Sequence, residues 1–173
     1  MNFYKECIEQ EVYANQRLNP LARYKIRTYN PSKNAVYLLR QYQYYAHKSG
    51  FINNIFAKKY YKKLFSRYNI FLKETTEIGK GLNMPHPTGI IFGEYARLGE
   101  GCTVYQHVTV GTKHIDDYKE RLYPEIGDGC VLFAGACVLG KIEVGSGTTV
   151  GCNSILTKSV PENSTVVGNS RIL

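Results

Sequence analysis

Residues 126–156 read IGDGCVLFAGACVLGKIEVGSGTTVGCNSIL, and in them a large aliphatic residue returns at every sixth position: Ile126, Leu132, Val138, Val144, Val150 and Leu156. Before a longer interruption, ten residues in excess of one hexad, the same count runs through Val110, Val104, Leu98 and Phe92 and, across a slip of two residues, through Met84, Ile78 and Leu72. Small or β-branched residues stand four places after the aliphatic, as at Cys102, Val108, Cys130, Ala136, Ile142, Thr148 and Ser154. Glycine directly follows Ile78, Leu98, Val110, Ile126, Val144 and Val150. A period of six matches neither a helix nor a strand alternation. It is the mark of a β-helix, in which each hexad forms one short flat side and three hexads close a triangular coil. The aliphatic is expected to fill the interior, the small residue to fit the corner, and the glycine to supply the backbone conformation of the turn. A sandwich of short strands would instead show turn signals roughly every 8–12 residues and a drifting phase.

Outside the repeat the composition changes. Residues 1–73 hold 14 Lys and Arg against three Asp and Glu, whereas residues 74–173 hold 8 against 11. Helical patterns occupy the basic part: NFYKECIEQEVYANQRL near the start, NAVYLLRQYQYYAHKS after Pro31, and NNIFAKKYYKKLFSRY up to Asn69. Ser32 or Asn34 is placed to cap the second of these and Gly50 to end it. The reading is therefore a basic α-helical cap over residues 1–70, closing one end of a β-helical domain over residues 71–173 from which a loop, 112–125, protrudes. No apolar run approaches the ~20 residues of a spanning helix, and the N-terminus is charged where a signal peptide is apolar, so a cytoplasmic protein is expected. The five cysteines are odd in number and show no CxxC, which points to apolar fillers rather than disulfides or a cysteine metal site.

Lys58, Lys59, Lys62 and Lys63 form one basic helical face. Such a face is commonly just solvated; attraction to an anionic membrane surface is the second reading. Nucleic acid is the least supported, because no binding motif accompanies the lysines.

Chemistry is concentrated where the count slips, in GLNMPHPTGIIFGE, with His86 inside the slip. An irregularity in a regular coil re-aims side chains. Histidine there suits either a general base or a corner residue satisfied by backbone groups.

The ordered motifs HPTGIIFGE, YQHVTVG, YPEIGDG and AGACVLGKIEVG, followed by VGCNSILTKSVPENSTVVGNSRI, resemble the serine acetyltransferase branch of the hexapeptide-repeat acyltransferases over about 100 residues. The resemblance implies a left-handed parallel β-helix, a homotrimer with sites shared between subunits, acetyl-CoA as co-substrate and no metal. It makes His86 the base that takes the proton from the acceptor hydroxyl. Glu94 is then a candidate to orient the imidazole, and Pro85, His107, Arg121 and Tyr123 are candidates to meet the acceptor. Gly111, Thr112, Gly135, Ala136, Gly151, Ser154 and Lys158 are candidates to border the cofactor.

This chain also departs from the branch. Where the serine enzymes carry an aspartate before the histidine it has Pro85, where they carry an orienting aspartate it has Phe71, and where they carry an arginine–histidine pair it has Leu122 and Tyr123. A site built for a zwitterion needs partners for both charges. On that ground the expected acceptor is a sugar hydroxyl in assembly of a bacterial capsule or O-antigen, with serine O-acetylation as the alternative and a non-catalytic trimeric scaffold as a third reading. His114, Asp116 and Asp117 lie in the loop without the spacing of a zinc site.

Overall fold

The computed structural model describes residues 3–168. The chain divides between Asn69 and Ile70 into two compact units.

The first unit is α-helical: α1 (Phe3–Glu11), α2 (Pro20–Tyr29), α3 (Pro31–Ala46) and α4 (Phe51–Tyr68). Where a single first helix was expected, the chain turns through Ala14 and Asn15, both at positive φ, and starts again at α2. The start signal is local: Asn19 accepts from the Ala22 N–H, and Pro20 occupies the first helical turn, where a missing N–H costs nothing. Asn30, rather than Ser32 or Asn34, caps α3 by accepting from the Lys33 N–H. Asn34 is buried and donates to the Arg27 carbonyl at 2.5 Å. Gly50, with φ +115°, begins α4 instead of ending α3. Leu39, Val36, Ala35 and Leu64 form the apolar centre, and beside them Arg40 is wholly buried with Glu11, the two joined by hydrogen bonds of 2.7 and 2.9 Å.

The second unit is a left-handed parallel β-helix. Its first side stacks β1 (Glu77–Ile78), β3 (Arg97–Leu98), β6 (Glu125–Ile126) and β9 (Glu143–Val144). A second side stacks β4 (Thr103–Val104), β7 (Val131–Leu132), β10 (Thr149–Val150) and β12 (Thr165–Val166). The third stacks β2 (Ile91–Phe92), β5 (Thr109–Gly111), β8 (Cys137–Leu139) and β11 (Ile155–Leu156). All thirteen hexad aliphatics point inward and are at most 4% exposed. Alternation then sends their predecessors outward. The first side presents Glu77, Arg97, Glu125 and Glu143, whereas the third presents Phe71, Ile91, Thr109, Cys137 and Ile155.

The glycines after the first side serve a purpose other than the expected one. A Cβ on Gly79, Gly99, Gly127 or Gly145 would come within 2.2–2.7 Å of atoms of the next coil, so these residues are glycine because the coils touch there. Positive φ belongs instead to Gly81, Gly101, Gly129 and Gly147, two residues later.

Candidate active site

The slip between Met84 and Phe92 lies at the corner joining the second side to the third, and it makes the chain bulge. The Thr88 N–H donates to the His86 carbonyl at 2.8 Å in a tight turn, leaving the imidazole exposed between Pro85 and the buried Pro87. On the next coil the same corner is Tyr105, Gln106 and His107, whose N–H donates to the Thr88 carbonyl at 2.9 Å. Phe133, Ala134 and Gly135 follow, the Gly135 N–H reaching the Gln106 carbonyl at 3.0 Å. Rings run along this column: His86 to Tyr105 at 6.0 Å between centroids, and Tyr105 stacked on Phe133 at 5.1 Å. His107 adopts φ +59°, the left-handed position that Gly89 holds in the coil before and Gly135 in the coil after. Its ring lies against Gly89, where an added Cβ would stand 2.6 Å from Nδ1. The turn thus brings His86 and His107 to one exposed corner on successive coils. Gln106, between them, went unnoticed in the sequence. Its Oε1 is buried without a hydrogen-bond partner, a signal that only the packing reveals.

Glu94 stands elsewhere. It follows β2, at the corner between the third and first sides, so a full side of the prism separates it from His86. Its carboxylate makes no hydrogen bond with the imidazole or with any other described residue. Instead it faces Tyr123, whose hydroxyl pKa is pushed up first by burial and then by the nearby Glu94 and Tyr95. The expectation that Glu94 orients His86 is corrected accordingly within one chain: the eight-residue separation spans a flat side of the prism.

Tyr123 and Arg121 belong to the long loop and gather at this second corner. The Tyr123 ring covers Gly93 so closely that a Cβ there would be 2.5 Å from Cε1. The Arg121 guanidinium stacks over Tyr95 at 4.6 Å and makes no hydrogen bond or ion pair among the described residues. The loop is shaped by its own acids, Asp117 accepting from the His114 N–H at 2.8 Å and Asp116 pairing with Lys119 at 2.7 Å.

Among the remaining candidates, Gly111 ends β5 and Thr112 begins the loop, while Gly151 is half-buried and Lys158 exposed. Ala136 and Ser154 are fully buried, and the Ser154 hydroxyl donates to the Val166 carbonyl at 3.4 Å, so their side chains fill corners and present nothing outward. In the helical unit Lys58, Lys59, Lys62 and Lys63 are all exposed on α4. No described helix is long and apolar enough to cross a membrane.

No protein-family model matches the chain. A serine acetyltransferase of Staphylococcus aureus is 42% identical over 92 residues, which make up 53% of this chain and 42% of that protein. The chain therefore spans less than half the length of the curated relatives it matches. Soybean serine acetyltransferase complexed with serine superposes with a TM-score of 0.75 at 25% identity, over 97% of this chain and 68% of the other. A serine acetyltransferase in complex with CoA does so with a TM-score of 0.70 at 22% identity, over 95% and 69%. These similarities overturn the expectation of a sugar acceptor in surface-polysaccharide assembly. That expectation rested on three replaced positions, Phe71, Pro85 and Tyr123, and the loss of contacts for one acceptor creates none for another. The 42% identity over 92 residues weighs against it. The chain has the hexapeptide-repeat acyltransferase fold in its serine acetyltransferase-like form.

Proposed function

We propose that the protein is a serine O-acetyltransferase that moves the acetyl group of acetyl-CoA to the hydroxyl of L-serine. The observation that carries this reading is the 42% identity to a serine acetyltransferase, together with an exposed histidine at the corner where the count slips by two residues. His86 removes the serine hydroxyl proton as the oxygen attacks the thioester carbonyl. The tetrahedral oxyanion is steadied by backbone N–H groups and collapses with loss of the CoA thiolate, giving O-acetylserine. The thiolate is a good leaving group and takes up a proton afterwards. His107 lies one coil on at the same corner, and the Arg121 guanidinium, beside the positions that replace the branch's arginine–histidine pair, suits the serine carboxylate.

The pantetheine arm lies between subunits, past Gly135 and Gly151 at the His86 corner of one and Gly111 and Thr112 at the loop corner of the next, where Lys158, with no ion pair among the described residues, meets a CoA phosphate. The assembly is a homotrimer. Its support is the third side, where Phe71, Ile91 and Ile155 remain 37%, 43% and 39% exposed, while the first side is charged. An apolar side next to the His86 corner fits coverage by a neighbouring subunit.

The deciding experiment incubates the purified chain with acetyl-CoA and L-serine and follows CoA release and O-acetylserine by mass spectrometry. Serine-dependent turnover is expected. Acetyl-CoA cleavage that serine does not stimulate, or no turnover at all by a trimeric protein, sinks the reading.

A further inference from the structure

The helical unit contains a cavity of about 510 Å³, lined from three helices. Tyr24 and Arg27 come from α2, Tyr37 from α3, and Tyr60, Lys63 and Arg67 from α4. Each helix contributes residues three or four apart, which places them on one stripe facing the cavity. The volume falls within the roughly 300–1,000 Å³ typical of small-ligand sites.

Its electrostatics are one-sided. The carboxylates of residues 1–69 are Glu6, Glu9 and Glu11, all on α1, and none lines the cavity. Glu9 is taken by Arg23, with both guanidinium nitrogens at 2.7 and 2.8 Å, and Glu11 by the buried Arg40. Arg27, Lys63 and Arg67 have no carboxylate partner among the described residues. Arg27 is held over the Tyr37 ring at 4.7 Å, which fixes the guanidinium without neutralising it. Three unneutralised cations around one concavity repel one another and are relieved by an anion.

The rest of the lining tells what kind of anion. Tyr37 and Tyr60 meet edge to face at 6.4 Å, presenting ring surface to the same space. Burial, and next to it Tyr37, push the Tyr60 hydroxyl up to about 12, so it remains an O–H donor at any physiological pH. Asn34, 7% exposed, donates to the Arg27 carbonyl and accepts from the Tyr68 hydroxyl at 3.0 Å, tying the three helices together at the cavity. The site is thus pre-organised rather than assembled on demand.

We propose that this cavity binds an organic phosphate, with the phosphate among Arg27, Lys63 and Arg67 and its planar or apolar body against Tyr24, Tyr37 and Tyr60. Guanidinium groups match phosphate geometry in pairs, and tyrosine rings match an aromatic or sugar body. The site lies wholly within residues 24–67 and is independent of acyl transfer.

The test is calorimetric titration of the full chain with phenyl phosphate, which has neither the adenine nor the pantetheine of CoA, beside inorganic phosphate and phenol. Phenyl phosphate should saturate one site per chain with a Kd below about 1 mM, inorganic phosphate should bind more weakly, and phenol should not bind measurably. Arg27→Gln with Arg67→Gln should weaken phenyl phosphate about tenfold or more. Lys58→Gln with Lys59→Gln removes the same charge outside the cavity and should change Kd less than about twofold. Circular dichroism checks folding, and should the Arg27 double variant not fold, Lys63→Gln and Arg67→Gln, both at exposed positions, serve singly. No saturable binding, equal weakening by both double variants, or phenol binding as well as phenyl phosphate would overturn the proposal.

Discussion

Replacing His86 by alanine separates its chemistry from its structural role, because the structure gives it little of the latter. The imidazole is exposed, forms no hydrogen bond among the described residues, and meets the Tyr105 ring only at 6.0 Å and a tilt of 48°. Losing such a contact should change stability by less than about 0.5 kcal/mol. A general base, in contrast, contributes about 10²–10⁴ in rate, which is roughly 2.7–5.5 kcal/mol of barrier. The two magnitudes do not overlap, so the variant should melt within a degree or two of the parent while kcat falls at least about a hundredfold. Because the base acts in the transition state, kcat and kcat/KM should fall together and the KM for acetyl-CoA should hold. The assay is CoA release at saturating L-serine, read with a thiol reagent against a serine-free control, since Cys152 is exposed and reacts on its own. Retention of more than about a tenth of kcat would refute the assignment, being smaller than base removal implies. Loss of activity accompanied by a lowered melting temperature would mean that His86 supports the corner instead.

Two further changes test the assembly and the helical core. Ile91→Asp places a charge on the apolar third side, between Phe71 and Thr109, while leaving the interior residue Phe92 untouched, so light scattering should show monomers; a trimer of unchanged mass would mean that subunits pack elsewhere. Glu11→Gln leaves the buried Arg40 charge without its counter-ion and should cost about 3–5 kcal/mol, whereas Glu11→Leu combined with Arg40→Met should recover most of it. Urea titration followed by near-ultraviolet circular dichroism reports on this unit, since eleven of the fifteen tyrosines precede residue 69; a loss under about 1 kcal/mol would show that water reaches the pair.

The β-helix was legible because its rule is one-dimensional. Each inward aliphatic, from Leu72 to Leu156, is set by a count along the chain, and burial follows that count without reference to distant residues. The last coil escaped it because the spacing shortens by two: Val160 bridges to Val144 and Val166 stacks on Val150, sixteen residues apart instead of eighteen. In the helical unit, tertiary packing decided more. Asn34 looks like a cap in sequence, yet the packing of α2 on α3 buries it and leaves capping to Asn30. At the site, His86 was visible as a break in the count, but which residues surround it was not. Glu94 is near in sequence and a side away in space, while Gln106 is twenty residues from His86 and one coil away.

The placement of the breaks carries the functional argument furthest. Before its shortened last coil the repeat is interrupted twice, by the slip before Phe92 and by the long loop after Gly111, and both interruptions fall at corners of the same side. That side is the third, whose outward residues Phe71, Ile91, Cys137 and Ile155 are apolar and flank Thr109. Elsewhere the coils from Ile126 to Leu156 run without interruption and contribute rigidity to hold the corners in register. Should a neighbouring subunit cover the third side, as proposed, both interruptions come to its edges: His86 and His107 at one, Arg121 and Tyr123 at the other. The distance that keeps Glu94 from His86 within one chain then becomes the width of an interface. The His86 corner of one subunit is brought toward the loop of the next, so an acceptor can be held by one subunit and deprotonated by another. Mixing His86→Ala chains with chains carrying Arg121→Ala and Tyr123→Ala should therefore restore some activity in mixed trimers, while failure to do so would confine each site to a single subunit.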